Sequence, residues 1–215
     1  MFRNFLFELG TLFAIINPYG LAFIFLNRTM SLSDKQRASV AWQVAIYAFF
    51  VLVVSTFAGT LILRFFGISI PALRIAGGLV VVAAGWTLLN EAPHGDAEGS
   101  RSTQSMAEVR HLAFFPLTVP LTTGPGTIAT AITLAASHAD AQNWMLSHLG
   151  SVLVAAVVSC AILHAYARVS RMARILGPEG TSVIMRLSAF LLLCVGVQII
   201  ITGVTGVLEP LSSTR

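Results

Sequence analysis

Two short stretches carry residues whose types and spacing suit recognition of a small polar solute. They are Asn17-Pro18-Tyr19-Gly20 and Thr122-Thr123-Gly124-Pro125-Gly126-Thr127. Proline lacks an N–H, and its ring clashes with the carbonyl one turn back. Glycine beside it adds backbone freedom. Each stretch lies inside an apolar run, so each predicts a helix split into two half-helices. The backbone groups freed there cannot face lipid, where an unsatisfied group is costly, so protein, water or solute must meet them. A half-helix N-terminus offers N–H donors and partial positive charge, which suit a carboxylate. Unwound carbonyls suit an ammonium or a metal cation. Asn17 both donates and accepts, and the threonines add hydroxyls. The candidate solute-binding set is therefore Asn17, Pro18, Gly20, Thr122, Thr123, Gly124, Pro125, Gly126 and Thr127. The alternative is a pair of structural kinks packed on neighbouring helices.

Two arginines form a second constellation. Arg74 and Arg186 each lie six or seven residues inside an apolar run, about 10 Å deep for a helix. An intramembrane arginine is expensive and marks function by default, here as an anion partner or gate. A snorkelling side chain reaching the interface is the equal alternative. Glu8 reads as an interfacial carboxylate, with a proton or cation partner as the alternative. His164 is expected at the interface, and Gln198 in an interhelical hydrogen bond. Cys160 and Cys194 lie in apolar runs without CxxC spacing and are expected as buried small residues.

Other chemistries find no support. The chain has no HExxH, no G-x-S-x-G and no pair of intramembrane aspartates, so no enzyme is expected. No phosphate loop, cofactor motif or metal-ligand pattern occurs, so no cofactor and no metal are expected. The net charge of +4 and pI near 9.7 do not imply a nucleic-acid partner. The cations sit singly or in short groups at the ends of apolar runs, where membrane topology puts them.

The elements that must position these residues follow from composition. The chain is 56% hydrophobic and only 10% charged, with mean hydropathy +0.82. Soluble domains carry about 25% charged residues, so the expected solvent is a lipid bilayer. Six apolar runs span about 5–27, 40–63, 67–89, 112–136, 145–167 and 181–206. The expected organisation is one integral membrane domain over 1–215. Its halves are 1–90 and 112–215, joined by a polar linker at 91–111. With the N-terminus outside, the inner loops hold Arg28, Lys35, Arg37, Arg101, Arg110, Arg168, Arg171 and Arg174, against Arg3, Arg64 and Arg215 outside. The excess predicts both termini on the outer, periplasmic side.

The halves look like copies. RIAGGLVVVAAGW from Arg74 aligns without a gap on RLSAFLLLCVGVQ from Arg186. Pro18 and Pro125 interrupt the first and fourth runs. Three spans per copy is odd, so the second copy starts from the opposite face. The predicted fold is an all-α membrane protein: six transmembrane helices as two inverted three-helix repeats, with helices 1 and 4 broken.

The segments AIINPYGLAFIFL (14–26), FGISIPALRIAGG (66–78) and PLTVPLTTGPGTIATAI (116–132) together resemble the MarC (UPF0056-type) family of bacterial inner-membrane proteins. That family is also called a neutral amino acid transporter family. The resemblance runs over nearly the whole chain, and the plan is similar to that of the lysine-exporter superfamily. It implies a six-span protein of the cytoplasmic (inner) membrane that transports small neutral amino acids such as alanine, glycine or serine. The family's first motif falls on Asn17, Pro18 and Gly20, and its second on Gly124, Pro125 and Gly126. Tyr19 and Leu21 to Phe23 stand where smaller or more polar residues are usual, which bears on pocket size. The expected function is a secondary transporter of small solutes, coupled to Na+ or H+ if it is coupled. Its expected partners are the bilayer and the solute, and a homo-oligomer stays open. A non-transporting scaffold or subunit, and a channel, remain as alternatives.

Overall fold

The computed structural model describes residues 2–90, 113–137 and 144–212. The linker assigned to 91–111 lies outside these residues. Every regular element among the described residues is a helix, and none is a strand: α1 (Phe2–Ile16), α2 (Pro18–Arg28), α3 (Asp34–Phe65), α4 (Ile70–Asn90), α5 (Ala113–Thr122, irregular), α6 (Pro125–Ser137) and α7 (Trp144–Ser212). Four helical segments among them are long and apolar enough to cross a membrane: Arg3–Arg28, Asp34–Phe65, Ile70–Asn90 and Met145–Leu208.

The surface fits a bilayer. Phe65, Ile175, Leu61 and Phe66 are 84%, 80%, 70% and 67% exposed. In water such a surface would drive association. Cys160 and Cys194 belong to it: both are exposed free thiols, not the buried residues their apolar context suggests. In a lipid solvent an apolar outward face and an apolar core cost alike, so hydrophobicity alone does not assign burial.

α3 begins at a capping box. Ser33 Oγ accepts from Gln36 N–H at 3.3 Å, while Gln36 Oε1 accepts from Ser33 N–H at 3.0 Å, satisfying two orphan donors reciprocally. One turn later Arg37 is buried, with 8% exposure. Its five N–H groups donate to Thr29 Oγ1, Asp34 Oδ1, Ser170 Oγ, Thr29 O and Leu32 O at 2.8–3.2 Å. The guanidinium thus ties the end of α2, the following loop and α3 to α7. Its charge suits the topological role read from the sequence; its burial shows a structural role as well.

α7 is 69 residues long, about 100 Å if straight, against a hydrocarbon core of about 30 Å. It is interrupted at Gly177, at φ 70° and ψ 176°. That region is open essentially to glycine alone, and Pro178 cannot donate to the turn before it. The arm before the break runs antiparallel to α3. Ser170 bonds Arg37 at the start of α3, and the ring of His148 lies 5.2 Å from that of Phe57 near its end. The arm after the break runs antiparallel to α4. A Cβ on Gly85 would lie 2.7 Å from Leu193 N, one on Gly78 2.8 Å from Gly196 O, and one on Gly203 3.0 Å from Pro71 O. Glycines at this seam let the two backbones touch, as small residues do in membrane packing. The polar stretch 168–180, expected as a connection, is helical apart from Gly177.

Candidate functional site

The first break is one residue wide. Asn17 sits in the left-handed region at φ 43° and ψ 62°, a conformation that asparagine tolerates better than most residues. It caps α2: its Oδ1 accepts from Gly20 N–H at 3.3 Å. Pro18 follows at the first helical position, where its missing N–H costs nothing. Asn17 Nδ2 makes no hydrogen bond among the described residues. Gly20 has no room for a side chain, because a Cβ there would overlap the Asn17 amide and Ser188 Oγ of α7. Tyr19 points outward, with its hydroxyl 3.1 Å from His164 Nδ1.

The second break is longer and has more causes. Pro116 and Pro120 precede Pro125 in the sequence. The residue before each of the first two is pushed out of the helical region: Phe115 lies at φ −129°, ψ 125° and Val119 at φ −117°, ψ 120°. Neither proline offers an N–H to the turn before it. Threonine hydroxyls supply donors here. Thr118 donates to Ala113 O at 2.6 Å, Thr122 to Leu117 O at 2.6 Å and Thr123 to Thr118 O at 3.2 Å. All three threonines are buried. Gly124 O accepts from Ile128 N–H at 3.0 Å as α6 begins, with Pro125 at its first position. Thr122 also bonds Tyr166 OH at 2.9 Å. Tyr166 is fully buried and stacked on Phe25 at 4.4 Å.

A cavity of about 260 Å³ opens beside this break. Thr122, Gly124, Pro125 and Thr127 line it, with Val81 and Ala84 of α4 opposite. Thr127 is 4% exposed, and its hydroxyl makes no hydrogen bond among the described residues. Arg28, at the end of α2, is the one charged residue on the wall among the described residues. Asn17, Pro18, Gly20, Thr123 and Gly126 do not line this cavity, although Ile15 just before the first break does. Gly126 instead packs on α4, where a Cβ would lie 2.7 Å from Val81 Cγ2.

The two arginines have unlike surroundings. α4 begins at Ile70, so Arg74 lies in its second turn. Its Nε donates to Thr133 Oγ1 of α6 at 3.2 Å. Arg186 is exposed and lines a separate cavity of about 520 Å³ at the Gly177 break, with Asn27, Arg174 and Met185.

Two weaker expectations come out differently. Glu8 is buried at 3% exposure and accepts from Ser151 Oγ at 3.1 Å, because the first arm of α7 covers α1 there. Gln198 is exposed, and its side chain makes no interhelical bond among the described residues. His164 is exposed, with its Nδ1 3.1 Å from the Tyr19 hydroxyl. The sequence reading missed Tyr166, though a tyrosine in mid-run signals a buried hydroxyl needing a partner. It also passed over the Pro116/Pro120 pair. Among the described residues no group of three or more His, Cys, Asp and Glu could hold a metal ion.

The comparisons with known proteins agree with one another. The family model for MarC family integral membrane proteins matches residues 2–208. The chain is 34% identical over 209 residues to the UPF0056 inner membrane protein MarC of Salmonella typhimurium, covering 94% of each. It is 33% identical over 210 residues to the protein of that name from Escherichia coli and 32% over 208 to that from Citrobacter koseri, again covering 94% of each. No solved structure matches. With its long apolar helices and these relatives, this is a multi-pass protein of the inner membrane, and the chain belongs to the MarC family.

Proposed function

We propose that this chain is a secondary transporter of small zwitterionic solutes, small neutral amino acids in the first place, and not an enzyme. The observation that carries the reading is the cavity at the second break, with an unused threonine hydroxyl, a guanidinium and otherwise largely apolar walls. That is the usual make-up of a small-molecule site, in which a few polar groups orient the ligand. Its volume of about 260 Å³ suits a solute of few heavy atoms. Arg28 would hold the carboxylate, and Thr127 with the carbonyls around Gly124 would hold the ammonium.

The transport cycle we infer uses six crossings in two inverted halves, 1–90 and 112–215, rocking against each other. Crosswise packing supports this plan. The first break meets the last arm of α7 at Gly20 and Ser188, and the second meets α4 at Gly77 and Pro125. Each broken helix thus leans on the last helix of the other half. Both termini would lie on the periplasmic side. Arg28, Arg37, Arg168, Arg171 and Arg174 would then face the cytoplasm, as the charge rule requires. Coupling would be to Na+ or H+, with buried Glu8 as the carboxylate available to a proton.

Uptake of labelled alanine and glycine by proteoliposomes tests this directly. Wild type should accumulate solute saturably. Thr127→Val and Gly124→Leu, both on the cavity wall and checked for monodispersity, should lose at least about tenfold in uptake, roughly 1.4 kcal/mol of transition-state or binding free energy. Wild-type uptake by both folded variants overturns the site, and conductance without saturation would favour a channel.

A further inference from the structure

The end of the molecule that carries the start of α3 holds a charged recess the transport reading does not use. Arg168, Arg171 and Arg174 recur every third residue on the first arm of α7. With Arg37, Ser170 and Asp34 they line a cavity of about 240 Å³ in which Ala167 is the sole apolar residue among the described ones. Among the described residues four guanidinium groups face one carboxylate. That carboxylate is already engaged, since Asp34 Oδ1 takes a hydrogen bond from Arg37 at 2.8 Å.

The donor inventory shows what is left over. All five N–H groups of Arg37 are spent on protein acceptors. Ser170 Oγ accepts one of them, and its own proton goes to no acceptor among the described residues. Arg174 gives Nε to Ser170 O at 3.3 Å and keeps its terminal nitrogens. Arg168 and Arg171 are exposed and make no ion pair or hydrogen bond among the described residues. Membrane topology needs positive charge near a helix end. It does not need three guanidinium groups, none in an ion pair among the described residues, converging on a recess that also offers a hydroxyl donor. Guanidinium forks match phosphate oxygens bidentately, which makes arginine the residue of choice for such anions.

We propose that this recess binds a phosphate group, and that the group belongs to an anionic phospholipid. The neighbouring surface chooses the lipid over a soluble phosphate. Val157 is 45% exposed and Cys160 is exposed; they lie about three turns before Arg168 and Arg171 on the same face of the arm, on the side of the bilayer core. A ligand held by its phosphate at the arginines would lay its acyl chains along these residues. Basic pockets at the membrane-facing ends of helices capture anionic headgroups in this way.

The test uses the full-length protein purified in a neutral detergent, with melting temperature read against added phosphatidylglycerol, cardiolipin, phosphatidylcholine or inorganic phosphate. Ligand binding to the native state raises the melting temperature. We expect a saturable rise with the two anionic lipids and none with phosphatidylcholine. Arg168→Gln/Arg171→Gln should need at least about tenfold more anionic lipid, while Arg64→Gln, which removes a cation elsewhere, should behave as wild type. Native mass spectrometry of the unmodified protein gives a readout that needs no variant, with anionic lipid expected to be retained in preference to phosphatidylcholine. The phosphate site is overturned by equal shifts in the double variant and wild type, or by equal retention of both lipid classes. A full shift with inorganic phosphate alone overturns the assignment to lipid.

Discussion

The hydroxyl of Tyr166 lies 2.9 Å from Thr122 Oγ1, and the proton between them belongs to the tyrosine. Thr122 has one hydroxyl proton and gives it to Leu117 O at 2.6 Å, so it can only accept from Tyr166. One bond therefore anchors the broken segment before Gly124 to the first arm of α7. Tyr166→Phe keeps the stacking on Phe25 and loses the donor. It should destabilise by about 1 kcal/mol. Tyr166→Ala, which also empties a fully buried site, should cost about 3–5 kcal/mol. Thermal unfolding in detergent measures both, and equal effects would show that the hydroxyl, not the ring, dominates.

Arg37 should resist conservative replacement. Its five donors meet five acceptors, whereas lysine offers three donors and no planar fork. Arg37→Ala strands the carbonyls of Thr29 and Leu32 and should cost about 3–5 kcal/mol. Arg37→Lys should recover less than half of that. A lysine variant with the wild-type unfolding temperature would mean that charge alone matters at this position.

Glycines should divide by their surroundings. A Cβ on Gly196 would sit 2.7 Å from Val82 N, a backbone atom that cannot swing aside, whereas one on Gly10 would meet nothing within 4 Å. Gly196→Ala should lower the fraction of monodisperse protein in size-exclusion chromatography. Gly10→Ala, inside α1, should be neutral or stabilising by up to about 1 kcal/mol. A monodisperse, thermally unaltered Gly196→Ala would show that the seam can open without cost.

Ser159 buries a hydroxyl that has no hydrogen-bond partner among the described residues. Removing an unsatisfied buried group relieves a desolvation penalty of about 1–3 kcal/mol. Ser159→Ala should therefore unfold at the same or a higher temperature than wild type. A clear loss of stability would reveal a partner that forms only in the membrane.

Composition and local sterics were enough to set the solvent, the helical class and where the chain must break. Composition fixes the bilayer, because a surface this apolar has no stable alternative. Pro18 and Pro125 fix the interruptions, because a missing N–H and a steric clash act locally whatever the surroundings. The broken segment before Gly124 was equally legible in Pro116 and Pro120, since the restriction on a residue before proline needs no tertiary contact. Tertiary structure decided which polar groups are free to do anything. Asn17 spends its oxygen on Gly20, Thr122 and Thr123 spend their protons on the carbonyls of α5, and Thr127 keeps its own. Glu8 is covered and Gln198 is not, though both stand in apolar runs. Hydrogen-bond partners and burial depend on residues far away along the chain, as Ser151 is from Glu8 and Tyr166 from Thr122. Periodicity cannot assign them where lipid and protein interior are equally apolar.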